Sequence, residues 1–84
     1  MPTKARLTKS LRSDKHLLFI GLLTTARKNA GLTQQQLADR LHQPQSFVAK
    51  YEGGERRIDV IEYLAIAAAL ELDPVRTIRQ LVRS

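Results

Sequence analysis

The sequence predicts an all-α domain of five helices, and three observations carry that expectation. Apolar residues recur at spacings of three and four along most of the chain, and no stretch of useful length alternates as a strand would. Start and stop signals punctuate this pattern: Thr33 and Asp59 each precede a Gln or Glu by three residues, and Pro44 and Pro74 each follow a polar break. With 84 residues the chain has room for one hydrophobic core and not for two.

Residues 1–14 read as a basic arm, with basic and small polar residues around Leu7 and Leu11 and no sustained apolar period. Residues 15–84 read as the domain. Its first helix spans 15–30, with Asp14 as N-cap and Phe19, Leu23, Ala26 and Ala30 on one face. Arg27 and Lys28 suit the negative end of the helix dipole, and Gly31 supplies a left-handed stop. The run Leu17–Leu23 follows basic residues as a secretory signal would. It is short and Arg27 follows almost at once, so it reads as part of a core helix, and it is too short to span a membrane.

The second helix opens at the Thr33–Gln36 capping box and buries Leu37, Ala38 and Leu41. It ends at His42–Gln43, because the residue before Pro44 is pushed out of helical geometry. Pro44 suits the first turn of the third helix. There Val48, Tyr51 and Glu52 share one side, while Gln45, Ser46, Ala49 and Lys50 share the other, before Gly53-Gly54 stop it. Asp59 and Glu62 open the fourth helix at Val60, and it runs to about Leu70 through the apolar stretch Tyr63–Leu70. Asp73-Pro74 open the fifth, striped by Val75, Ile78, Leu81 and Val82.

Charge narrows the partners. Lys and Arg number 14 against 8 Asp and Glu, a net charge of +6. Residues 1–28 hold seven basic side chains and one acid, so the whole excess falls there and the remainder balances. Such an asymmetry fits a polyanionic partner, nucleic acid or an anionic membrane, or else a solvated basic tail. Nothing suggests catalysis: no nucleophile stands with a base, and no phosphate-binding glycine fingerprint precedes a helix. There is no cysteine, and His16 and His42 are too few for a metal site that needs about four ligands. No enzyme, metal or cofactor is expected.

The second and third helices are short, lie about three residues apart, and place small Ala38 where steeply crossing helices come close. This is a helix-turn-helix pattern over about residues 33–52. Residues 32–57, LTQQQLADRLHQPQSFVAKYEGGERR, closely resemble the Xre/Cro-type, lambda-repressor-like DNA-binding family. The likeness extends from about residue 16 to residue 73, through ARKNAGLTQ before the motif and AAALELDP after it.

The resemblance implies roles. Gln34 would hold the DNA backbone from the start of the second helix. Gln45, Ser46, Ala49 and Lys50 would read bases in the major groove: glutamine can pair bidentately with adenine, serine is versatile, alanine fits a thymine methyl, and lysine reaches guanine or phosphate. Gly53, Arg56 and Arg57 would lie along the backbone. Arg27 and Glu52 would form a partly buried ion pair orienting the third helix, with Arg27 also near a phosphate. Phe47 is expected to pack partly on Tyr51, with thymine methyls as its alternative. His42 departs from the family, which often has glycine there; a left-handed histidine would be mildly strained, unless Gln43-Pro44 reshape the turn.

The implied function is a sequence-specific transcriptional regulator, a repressor on a palindromic operator of double-stranded DNA. It would be cytoplasmic, nucleoid-associated and homodimeric through Val75, Ile78, Leu81 and Val82. The alternatives are an antitoxin with a protein partner, a restriction–modification controller, or a protein-interaction module that no longer reads DNA.

Overall fold

A computed structural model describes residues 13–84. The arm lies outside the described residues apart from its last two positions. Among the described residues there are five helices and no strands: α1 Asp14–Asn29, α2 Gln34–Leu41, α3 Gln45–Glu52, α4 Val60–Ala69 and α5 Pro74–Arg83.

Helix α1 starts one residue earlier than expected. Ser13 is the N-cap, its hydroxyl accepting from the His16 amide at 3.3 Å. Asp14 instead becomes the first helical residue, still at the positive end of the dipole. The buried face also turns: His16, Ile20, Leu23 and Arg27 point inward, Phe19 and Ala26 flank the core, and Ala30 is exposed. A stripe chosen by hydrophobicity cannot anticipate a buried histidine and arginine, and that is why the expected face was displaced. Gly31 ends the helix with φ 74°. Its amide donates to the Lys28 carbonyl and that of Leu32 to the Arg27 carbonyl, the paired closure that a left-handed glycine permits.

The capping box of α2 is complete: the Gln36 amide donates to Thr33 Oγ1 at 3.1 Å, and the Thr33 amide to Gln36 Oε1 at 2.9 Å. His42 takes the left-handed conformation, φ 54° and ψ 41°, so the turn keeps its usual shape without its usual glycine. Pro44 lies just outside α3 as its N-cap, φ −67° and ψ 153°, one residue earlier in role than expected. Gly53 continues the αR path, and Gly54 turns left-handed with φ 78° against Ile20. The Asp59–Glu62 box opens α4, and Asp73 caps α5 with Pro74 in the first turn.

The core joins Leu23 of α1, Leu37 and Ala38 of α2, Val48 and Tyr51 of α3, and Tyr63, Ile66 and Leu70 on the α4 side. Ala38 is fully buried, as the close α2–α3 crossing requires. Helix α5 packs on α1 and α4, with Tyr63 Oη donating to the Pro74 carbonyl at 2.6 Å. Its inward residue is Thr77, while Val75, Ile78 and Val82 are 56, 42 and 73 % exposed and Leu81 is half-buried. The apolar stripe of α5 therefore does not close the core of one chain.

Candidate nucleic-acid interface

Gln45, Ser46 and Lys50 are exposed on the outer side of α3, with Ala49 partly covered between them. Val48 and Tyr51 hold the opposite side fully buried. The period of the helix thus separates an anchored face from a presented one, as the sequence suggests. Phe47 packs edge-on to Tyr51, ring centroids 5.6 Å apart, and keeps part of its ring accessible.

Behind the presented face runs a chain of polar contacts. Arg27 Nε donates to Glu52 Oε2 at 2.7 Å and Nη2 to Glu52 Oε1 at 3.0 Å, a bidentate pair linking α1 to α3. Arg27 Nη1 donates to the Leu32 carbonyl at 2.7 Å. The two side chains are only 10 and 6 % exposed. The hydrogen bond to Glu52 raises the Arg27 pKa against the opposing effect of burial. Removing one partner of such a pair strands the other, at about 3–5 kcal/mol. All three nitrogens of the Arg27 guanidinium are thus engaged within the protein.

The chain continues outward. Gln34 Nε2 donates to Glu52 Oε1 at 3.0 Å, and Gln45 Nε2 donates to Gln34 Oε1 at 2.7 Å. The start of α2 and the start of α3 are thereby joined through two amides. Sequence reasoning named both glutamines but not their contact. Residues 11 apart in different helices meet only once the crossing angle is known.

The loop after α3 makes several contacts within the protein. The Gly53 amide is taken by the Ala49 carbonyl at 2.9 Å, closing the helix. A Cβ at Gly53 would meet that same carbonyl at 3.0 Å, which is a local reason for the glycine. Arg56 turns back onto the protein: Nη1 and Nη2 donate to Glu62 at 3.0 and 2.8 Å, and its guanidinium lies 4.9 Å over the Phe47 ring. That guanidinium, followed by the Asp59 amide, holds the Glu62 carboxyl below the usual carboxylate range. The Arg56 brace was missed in the sequence, although Glu62 was already marked there as a capping residue. Arg57 is exposed. On the opposite flank Arg40 donates to the Ala69 carbonyl at 2.9 Å, tying α2 to the end of α4.

Two short helices crossing over a buried alanine, the second with its polar face outward, define a helix-turn-helix domain. A helix-turn-helix family model matches residues 23–76, well over half of the chain. The chain belongs to the Xre-type helix-turn-helix family, and it is a DNA-binding transcriptional regulator. Among solved structures it is similar to an Xre-family-like protein from Pseudomonas syringae pv. tomato, 42 % identical over 82 % of this chain and 84 % of that one, with a TM-score of 0.79. It is also similar to the restriction–modification controller C.AhdI from Aeromonas hydrophila, 28 % identical over 77 % of this chain and 98 % of that one, TM-score 0.71. The controller C.Esp1396I, solved as a tetramer on its natural 35-base-pair operator, shares the fold at 19 % identity, covering 86 % of this chain and 95 % of that one, TM-score 0.75. A search of curated proteins returned no match.

Proposed function

We propose that the protein is a sequence-specific repressor that reads a palindromic operator with α3 in the major groove. The observation that carries this reading is the joined pair Gln45–Gln34 at the exposed start of α3 and α2. Gln45, Ser46, Ala49 and Lys50 read bases, while Gln34 and Arg57 meet the backbone. The start of α2 adds amides that favour phosphate. Gly53 shapes the loop and Arg56 braces it, so neither is needed as a phosphate ligand. Arg27 acts only through Glu52.

The working form is a homodimer whose second copy covers Val75, Ile78, Leu81 and Val82. Support comes from the exposure of that stripe and from the adjoining α4 residues Val60, Ile61 and Leu64, which are 71, 73 and 46 % exposed. An apolar surface of this extent on so small a domain marks an interaction site. Such a regulator works where the chromosome is, in the cytoplasm and on the nucleoid. Control of a restriction–modification locus is a second reading, favoured by the likeness to C.AhdI.

The test is a random-sequence DNA selection followed by affinity measurements on the selected site. Gln45→Ala should cost roughly 1–3 kcal/mol at one or two base pairs, whereas Arg57→Ala should weaken binding evenly on all sequences. A dimer neutralising about 6–10 phosphates should show log K falling with log[salt] at a slope of roughly −5 to −9. A flat salt response, or equal losses for both variants on specific and random DNA, would refute the reading.

A further inference from the structure

We propose that Glu52, which need not touch DNA, sets the base preferred by α3 by fixing the polarity of the Gln34 and Gln45 amides. This rests on the reading of Gln45 as a base-contacting residue. A glutamine amide can present either its carbonyl or its NH2 to a neighbour, and its orientation is ordinarily decided by its surroundings. Here the surroundings leave one choice. Both Glu52 oxygens already accept from Arg27, so Glu52 faces Gln34 as an acceptor. The Gln34 group 3.0 Å from Glu52 Oε1 must therefore be the NH2. The Gln34 carbonyl is then turned toward Gln45 at 2.7 Å, and Gln45 must donate to it.

The consequence lies at the exposed end of the chain. One N–H of Gln45 is committed to Gln34, leaving one N–H and one carbonyl for a base. That donor–acceptor pair matches adenine, which offers N7 as acceptor and its N6 amino group as donor. Guanine offers two acceptors, N7 and O6, and demands two donors from the same side chain. The committed N–H removes the second donor, so guanine is disfavoured by an interaction starting two side chains away. With Gln in place of Glu52, the neutral amide can accept or donate. Gln34 can then reverse, donate to the Gln45 carbonyl, and free both Gln45 N–H groups for guanine.

The experiment uses the full chain and the operator obtained by random-sequence selection. The base pair read by residue 45 is the one whose substitution no longer matters in Gln45→Ala. Affinities for adenine and guanine at that pair are then compared in wild type, Glu52→Gln and Gln34→Met, with thermal melts confirming folding. Gln34→Met removes the relay and leaves the Arg27–Glu52 pair intact, so it decides the matter if Glu52→Gln fails to fold. Wild type should prefer adenine by roughly tenfold or more, and the ratio should shrink to about threefold or less in both variants, whatever happens to overall affinity. A wild-type preference for guanine, or an adenine preference surviving in folded Gln34→Met or in folded Glu52→Gln, overturns the role of Glu52 while leaving α3 as the reading element. A wild type that selects no sequence overturns the DNA reading itself and this inference with it.

Discussion

His16 sits in the first turn of α1, almost fully buried, and its Nε2 has no hydrogen-bond partner among the described residues. Burial, and then the Arg57 charge, push its pKa below the ordinary 6.5. The folded protein therefore resists a proton that the unfolded chain accepts. Stability from this residue is complete above about pH 6.5 and is lost as pH falls from there through the lower folded pKa. Thermal melts between about pH 7.5 and 5 should show the wild-type melting temperature dropping and a flatter profile for His16→Leu. An identical profile in the variant would show that His16 is not the titrating group. At this scale the sequence was partly legible. His42 stood out as a departure, and it does sit left-handed. The burial of His16 was not legible, because a polar residue on an apolar face carries no local mark of its exposure.

The elements themselves were the most legible part. Thr33–Gln36 and Asp59–Glu62 are signals that close over three residues, so they depend on nothing outside their own turn. Faces and loops were harder, because they depend on what packs opposite. The α3–α4 loop is the clearest example: its arginines suggest phosphate contacts, yet Arg56 is engaged with Glu62 and Phe47. This gives an expected contrast. Arg57→Ala should reduce the salt slope of DNA binding by about 1, as loss of a phosphate contact does, while Arg56→Ala should leave the slope unchanged and lower the melting temperature. Titrations at several salt concentrations separate the two cases. A reduced slope in Arg56→Ala would mean that Arg56 exchanges Glu62 for phosphate on the DNA.

For the whole molecule, the unanswered apolar surface is that of α5 and the adjoining part of α4, where Val60, Tyr63, Leu64, Pro74, Val75 and Ile78 line an open groove. The stripe was visible in the sequence, but whether it served the core or a partner was not, since both uses require the same residues. Because Ile78 and Val82 are 42 and 73 % exposed, a charge at either costs the single chain little. Ile78→Glu and Val82→Glu should therefore convert a dimer to a folded monomer by sedimentation at micromolar concentration, with helical circular dichroism retained. A wild type that sediments as a monomer both alone and on DNA would refute the dimer. The brevity of α3 bears on the same question as a matter of address length. Eight residues make a helix of about 12 Å, the span of roughly three to four base pairs. A four-letter word recurs by chance about every 256 base pairs, whereas two such words at fixed spacing recur about once in 65,000, against a genome offering roughly a million or more competing sites. A single copy would be lost among accidental matches; pairing lengthens the address without lengthening the helix.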